Sequence, residues 1–201
     1  MTEVLIVART RIGGGVCVGA LALDDNRNVR LMTSLGAYQP AGSPFQVGEV
    51  YDMNLTPDRG FEPPHVENVR VVEAKRIRAE RAMLRLLRAR VSVVSGGPDR
   101  LFEGRLGFTS NDRPYIGRDD LPKGSVEFWE PDNDLLWDGK SYTYSSAISG
   151  EFAFTYAGVE PPADKIPAGS LVRISLATWW PDNEPPDRQR CYTQVSGWFS
   201  R

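Results

Sequence analysis

Residues 5–19 read LIVARTRIGGGVCVG, and the fold is predicted most directly from this stretch. The apolar run at 4–8 predicts a strand, and the glycines at 13–15 predict a tight reversal. The next run, 16–21, is interrupted by glycine, as in a strand that coils around a small barrel. A turn-forming cluster then precedes a third strand at 29–32. The opening of the chain therefore predicts a curled meander.

Composition narrows the class of protein. The chain has 201 residues, of which 41% are hydrophobic, enough for one good core or two small ones. It contains no apolar run of the roughly 18 residues that cross a bilayer, and no signal-peptide pattern. Its two cysteines, Cys17 and Cys191, lie in strand-like sequence near opposite ends. We therefore expect a cytoplasmic protein with two buried thiols and no membrane segment.

Charge is unevenly distributed along the chain. Residues 1–98 contain 13 Lys and Arg against 10 Asp and Glu, whereas residues 99–201 contain 11 against 16. The basic residues of the first half are arginines except for Lys75, and arginine suits bidentate phosphate contacts and stacking. The net charge of −2 argues against a protein that coats duplex DNA by electrostatics alone. A local basic face remains compatible with it.

The rest of the first half predicts two strands and a helix. Residues 47–55 alternate in strand fashion, and 65–71 continue as a strand after two prolines. Residues 77–90 place apolar and arginine residues at the spacing of an amphipathic helix. The arginines of the 76–90 segment form either a solvated face or a contact surface for a protein partner. Gly96, Gly97 and Pro98 end the helix or mark a domain joint.

The second half predicts short strands separated by turns. All five tryptophans lie there. Because neighbouring residues of a strand point to opposite faces, Trp179 and Trp180 cannot both be buried. We therefore predict a mainly β protein of two small barrels, residues 1–97 and 98–201, with one amphipathic α-helix near their junction. The predicted strands of the second barrel are 125–130, 141–145, 151–157, 170–178 and 191–199.

The chain resembles the dual OB-containing domain of bacterial proteins. The resemblance rests on the opening strand, the glycines and the cysteine-bearing strand, and it continues to the end of the chain. Where the family tends to have Asn-Ser, this chain has Arg9 and Thr10. The matching segments are residues 5–8, 14–19, 29–31 and 48–51, the His-x-Glu-Asn segment within 64–68, and residues 191–198.

The resemblance implies a pair of OB barrels, a fold that commonly binds oligonucleotides on a strand face and its flanking loops. Such a surface needs cations for phosphates and aromatic rings for bases. For stacking we predict Trp179 or Trp180, whichever is exposed. The predicted ligand-binding residues are Arg9, Arg11, Arg30, His65, Glu67 and Asn68.

Each of these residues also has a structural interpretation. Arg9 and Arg11 are either solvated loop charges or phosphate contacts. At strand spacing, His65 and Glu67 face the same side of the strand. They form either a structural hydrogen-bond network with Asn68 or a general base, in which the carboxylate orients the imidazole. A Cys17–His65 nucleophile pair is a further alternative, although Cys17 is predicted to face the barrel interior.

The sequence lacks the residue patterns that common metal sites require. One histidine and two distant cysteines are too few for an ordinary structural zinc site. A loop containing Asp132, Asp134 and Asp138 lacks the glycine and terminal glutamate of an EF-hand. We predict no metal site, no cofactor and no catalytic residues.

The sequence thus favours a binding module for single-stranded nucleic acid or a nucleotide-like ligand, without catalysis of its own. Two alternatives remain open. One is a protein-interaction adaptor in a larger bacterial complex, contacting its partner through the helix at 76–90. The other is a hydrolase or transferase built on His65 and Glu67.

Overall fold

The computed structural model describes residues 1–58, 60, 62–147 and 150–200. These residues form β-strands, one α-helix and two short 3-10 segments, and they divide into two compact units. The first unit comprises Met1–Glu62 and Val66–Val91. The second comprises Pro63–His65 and Ser92–Arg201.

The first unit is a closed barrel. Strand pairing runs β1-β5-β6-β3-β2, and β2 pairs again with β1 to close the ring. All neighbouring strands are antiparallel except β3 and β6, which are parallel. A five-strand Greek-key barrel of this kind is an OB fold. The strands are β1 (Thr2–Ile12), β2 (Gly15–Ala22), β3 (Arg27–Met32), β4 (Gln39–Pro40), β5 (Glu49–Pro57) and β6 (Asn68–Ala79).

Apolar side chains that alternate along the strands fill the interior of this barrel. Val18 and Ala20 of β2 lie on the same face as Val29 and Leu31 of β3, and each is at most 1% exposed. The predicted reversal is a two-residue turn at Gly13 and Gly14, where the φ of Gly14 is +85°. A side-chained residue would be strained there. The predicted meander is therefore confirmed.

The helix prediction for residues 77–90 is wrong for most of its length. The strand β6 continues to Ala79, and the helix α1 spans only Met83–Arg88. Strand β5 supplies the partner that local sequence cannot show, since Glu49 and Val50 pair with Ala79 and Arg78. Pairing with a neighbouring strand satisfies the backbone groups of these residues and overrides their helical spacing.

The second unit repeats the strand arrangement of the first. The order β10-β15-β16-β13-β12 has the same directions as β1-β5-β6-β3-β2, with β13 and β16 as the parallel pair. In the described residues its pairing path is open, because β12 continues to β11 and β14 while β10 pairs with β7. The strands are β7 (Val93–Ser95), β8 (Gly107–Phe108), β9 (Pro114–Ile116), β10 (Val126–Glu130), β11 (Leu135–Trp137), β12 (Ser141–Ser146), β13 (Gly150–Tyr156), β14 (Lys165–Ile166), β15 (Leu171–Leu176) and β16 (Cys191–Phe199), with 3-10 segments at Pro98–Gly104 and Pro186–Arg188.

Aromatic residues form the core of the second unit. Trp129, Tyr142, Tyr144 and Phe154 are each at most 1% exposed. The ring of Trp129 lies 5.7 Å from that of Tyr144 and 5.5 Å from that of Phe154 between centroids, distances typical of favourable aromatic pairs. All five strands predicted for this half of the chain are present, with their ends shifted by up to two residues.

The two units divide the chain differently from the predicted ranges 1–97 and 98–201. Residues 92–97 belong to the second unit because β7 pairs with β10. The indole Nε1 of Trp129 also donates to the carbonyl of Gly96 at 2.8 Å. Pro63–His65 belongs to the second unit as well, although it interrupts the sequence of the first.

Candidate functional site

Arg30 and Asn68 meet on neighbouring strands of the first barrel. The parallel register pairs them directly, and Nη1 of Arg30 donates to Oδ1 of Asn68 at 3.1 Å. The backbone N–H of Arg30 donates to the carbonyl of Glu67 at 2.8 Å. Three predicted ligand-binding residues therefore lie together. The Arg30 side chain is held in place, and the residue is only 9% exposed.

The outer face of β2 and β3 carries this group, and we call it the Arg30 face. Arg30 pairs with Gly19, so both point away from the core residues Val29 and Ala20. Tyr38 interacts electrostatically with Arg30 and with Cys17. Burial raises the pKa of the Tyr38 hydroxyl, Arg30 opposes the rise, and Cys17 adds to it. A guanidinium and a phenol ring thus share one surface.

Arg9 and Arg11 lie on the other face of the sheet. Both belong to β1, where they pair with the core-facing Val18 and Val16, so they are strand residues and not loop residues as predicted. Arg9 donates to the side chain of Gln46 and to the carbonyl of Ala41, the latter at 3.3 Å. Arg11 is exposed next to the Gly13–Gly14 turn. Arg9 is therefore anchored, and Arg11 is exposed.

His65 does not lie at strand spacing from Glu67, and that prediction is wrong. The strand β6 begins only at Asn68, and His65 sits between two turns. The two preceding prolines lack N–H donors, and the carbonyl of Pro63 accepts a hydrogen bond from Nε1 of Trp179 at 3.0 Å. These features keep residues 63–67 out of the strand ladder.

The imidazole of His65 contacts Cys191. Its partner is therefore not Cys17, the cysteine considered from the sequence. The Sγ of Cys191 lies 3.6 Å from Nε2 of His65. Both cysteines are free, Cys191 is buried and Cys17 is half-buried on the outer face of β2. The predicted interior position of Cys17 is therefore wrong. Since Cys191 and His65 are 0% and 6% exposed, they offer little surface to a substrate.

The adjacent tryptophans differ in exposure, as their strand-like positions predict. Trp179 is 9% exposed, and the guanidinium carbon of Arg118 lies 4.1 Å from the centre of its ring. Trp180 is 61% exposed. Trp180 is therefore the member of the pair that is free to stack on a ligand, and its stacking remains a prediction.

Sequence reasoning missed a cluster around Trp180, which we call the arginine–aromatic ladder. It consists of Arg113, Tyr115, Trp180, Arg190 and Tyr192. The guanidinium carbon of Arg190 lies 4.5 Å from the ring centre of Tyr115, and that of Arg113 lies 4.8 Å from the ring centre of Tyr192. The only sequence signal was the mixture of arginine and aromatic residues in two separate segments.

The arginines predicted to share one helical face are dispersed. Arg76 and Arg78 lie on β6 and form ion pairs with Glu49 and Glu3, respectively. Arg90 lies beyond α1 and donates to the carbonyl of Leu23 at 2.7 Å. The helix α1 itself keeps only Arg85 and Arg88, both in its last turn.

The acidic loop is occupied by local hydrogen bonds. Asp132 accepts from the hydroxyl of Tyr144 at 2.7 Å, Asp138 from the backbone N–H of Ser141 at 2.6 Å. Asp134 accepts from the N–H of Ala168, and this bond lowers its pKa. In the part of the chain that the structure describes, no group of three or more His, Cys, Asp or Glu residues is placed to hold a metal. No helix within the same residues has the length and apolar character of a membrane span.

Comparison with known proteins agrees with this geometry. Neither curated proteins nor solved structures provide a match. A family model, that of the dual OB-containing domain, matches residues 2–198 and thus both units. With the closed first barrel and the repeated strand order of the second unit, this match shows that the chain belongs to the dual OB-containing domain family.

Proposed function

We propose that this chain is a binding module for single-stranded nucleic acid or a nucleotide-like ligand, without catalysis of its own. The observation that supports it most is the position of Arg30 on the outer β2–β3 face of a closed OB barrel, where it donates to Asn68 at the start of the neighbouring β6. OB folds bind oligonucleotides and oligosaccharides on this face and on the loops after their first and fourth strands.

The corresponding loops carry suitable chemistry. The loop after the first strand is the Gly13–Gly14 turn, and the exposed Arg11 lies just before it. The fourth and fifth strands of the barrel, β5 and β6, are joined across residues 58–67. There Asp58 accepts hydrogen bonds from Nε and Nη2 of Arg70 at 3.0 and 2.9 Å. Both bonds end on Oδ1 of Asp58, and they tie the start of the connection to β6.

The residue types favour a nucleotide over a sugar. Guanidinium groups make paired, planar contacts with phosphate, and an asparagine amide both donates to and accepts from base edges. Tyr38, whose hydroxyl interacts electrostatically with Arg30, adds an aromatic ring. We therefore assign phosphate contact to Arg11 and Arg30, base contact to Asn68, and structural roles to Arg9 and His65.

The proposal is tested by fluorescence anisotropy with labelled single-stranded DNA, single-stranded RNA and duplex DNA over a salt series. We expect single strands to bind more tightly than duplex, with affinity falling as salt rises because phosphate contacts release counterions. Absence of binding to all three at low salt would exclude nucleic acid. A nucleotide-like ligand would then be tested by thermal shift with mono- and dinucleotides.

A hydrolase or transferase built on His65 and Glu67 gains no support. The two residues do not lie at strand spacing, and the imidazole of His65 packs against the buried Cys191. The adaptor alternative depended on a basic helix at 76–90, but β6 runs to Ala79 and the helix spans only Met83–Arg88. Binding of nucleic acid remains the function that the geometry favours.

A further inference from the structure

The arginine–aromatic ladder is built on paired backbone. Tyr115 of β9 and Tyr192 of β16 are directly opposite each other, and their ring centroids are 6.2 Å apart. Trp180 and Arg190 form a bridge with two backbone hydrogen bonds of 3.1 and 2.9 Å. The backbone that carries these side chains is therefore fixed by pairing on both sides of the 180–190 loop.

The ladder carries positive charge that nearby carboxylates do not neutralise. Among the described residues, no carboxylate lies within ion-pair distance of Arg113 or Arg190. Instead, the guanidinium of Arg190 lies over the ring of Tyr115, and Arg113 donates to the hydroxyl of Thr155 at 3.1 Å. Arg188 of the same loop shows the contrast, because it pairs with Glu184 at 3.4 Å.

This charge stands out against its surroundings. Residues 99–201 contain 16 Asp and Glu but only 11 Lys and Arg, so the second half of the chain is acidic overall. Two guanidinium groups without carboxylate partners thus form a local cationic patch and not part of a general basic surface. A patch of this kind attracts an anionic ligand to one place.

Aromatic surface lies beside the patch. Trp180 is 61% exposed, and its ring centroid is 6.3 Å from that of Tyr192. Proteins bind single-stranded nucleic acid with aromatic rings on which bases stack and with cations along the phosphate backbone. The exposed indole and the arginines without carboxylate partners supply both. An acidic peptide would use the same charges, but it would leave the indole without a matching group.

We propose that the second unit has its own single-strand binding site on the arginine–aromatic ladder. Bases stack on Trp180 and Tyr192, and Arg113 and Arg190 contact the flanking phosphates. The class of ligand rests on the proposed function, whereas the site is separate from the Arg30 face. The chain would then hold one nucleic acid at two places or two strands at once.

The test uses the full chain and a fluorescein-labelled single strand of about 12 nucleotides, a length that OB folds accommodate. We expect Trp180→Ala to weaken binding by roughly 5- to 150-fold, the range for loss of one base–aromatic stack. Trp180→Phe keeps a ring, so its affinity stays much closer to that of the parent chain. Ligand-induced quenching of tryptophan fluorescence should nevertheless fall in this variant, because the stacked indole is gone.

Arginine variants separate charge from stacking. Arg113→Ala should lower the slope of log affinity against log salt by about 0.7, the value for one phosphate contact on a single strand. Arg190→Lys keeps the charge but loses the planar contact with Tyr115, so it should weaken binding at unchanged slope. The matched control is Arg188→Ala in the same loop, which should leave both quantities unchanged.

The possible outcomes distinguish this proposal from the proposed function. If the parent chain binds and Trp180→Ala and Arg113→Ala bind equally well, the ladder is not a site, and the Arg30 face alone carries the function. If the parent chain binds no single strand, this proposal fails, and the proposed function holds only for a nucleotide-like ligand. If an acidic peptide competes while oligonucleotides do not bind, the ladder is a protein-binding surface and this proposal is overturned.

Discussion

The Nε2 atom of His65 lies 3.6 Å from the Sγ of Cys191, although 126 positions separate the two residues in the chain. Both side chains are buried. Two residues before His65, the carbonyl of Pro63 accepts a hydrogen bond from the indole of Trp179. The histidine is therefore a packing residue of the second unit, and its role is testable through stability.

His65→Ala should destabilise the chain by about 1–3 kcal/mol, because it removes a buried polar contact and leaves Cys191 without it. Urea unfolding of His65→Ala, Cys191→Ala and the double variant measures the coupling between the two side chains. Contacting residues typically couple by about 0.5 kcal/mol or more. Strictly additive effects would mean that the 3.6 Å contact contributes nothing.

Arg9→Ala should also lower stability, by about 1–2 kcal/mol, since the guanidinium anchors Gln46 and the carbonyl of Ala41. Gln46→Ala should have a smaller effect of the same sign because the Ala41 contact survives. Thermal unfolding in the absence of ligand measures both. An Arg9 variant of unchanged stability with weakened oligonucleotide binding would return Arg9 to the ligand site.

Arg11→Ala should behave in the opposite way. Its side chain is exposed, so the free energy of unfolding should change by no more than about 0.5 kcal/mol. If Arg11 contacts a phosphate, affinity for a single strand should fall and the salt slope should decrease by about 0.7. Arg27→Ala, at the β2–β3 turn, is the control because Arg27 pairs with Asp25 at 3.2 Å. Equal effects of the two variants would point to non-specific attraction.

Glu127 gives the second unit a pH dependence. Burial raises the pKa of its carboxyl, against the lowering effect of the hydrogen bond from the N–H of Phe102 at 2.6 Å. An acid whose pKa is higher in the folded state binds its proton more readily there. It therefore costs stability as pH rises from the ordinary value of 4.5 through the raised one.

Glu127→Gln removes this loss, since an amide does not ionise. Relative to the parent chain, the variant should gain stability as pH rises above the ordinary carboxyl value of 4.5. Urea unfolding at a series of pH values gives the difference directly. A difference that stays constant or shrinks with rising pH would contradict the assignment.

The local pattern of apolar, glycine and turn-forming residues was sufficient to predict most of the longer strands of this protein. Alternating apolar residues, the glycines at 13–15 and the turn cluster before β3 were sufficient to predict the opening meander. The same reasoning found the five main strands of the second half and the unequal burial of Trp179 and Trp180. These features depend on residues within one element, where side-chain period and turn chemistry act over a few positions.

Pairing between strands that are distant in the sequence set the features that local pattern could not predict. The segment 77–79 became strand because β5 offered hydrogen-bond partners, and His65 left β6 because Trp179 and Cys191 engage residues 63–65. The arginine–aromatic ladder exists only because β9 pairs with β16 and Trp180 bridges to Arg190. A linear sequence carries the period of each strand but not the register between distant strands, and register places these side chains together.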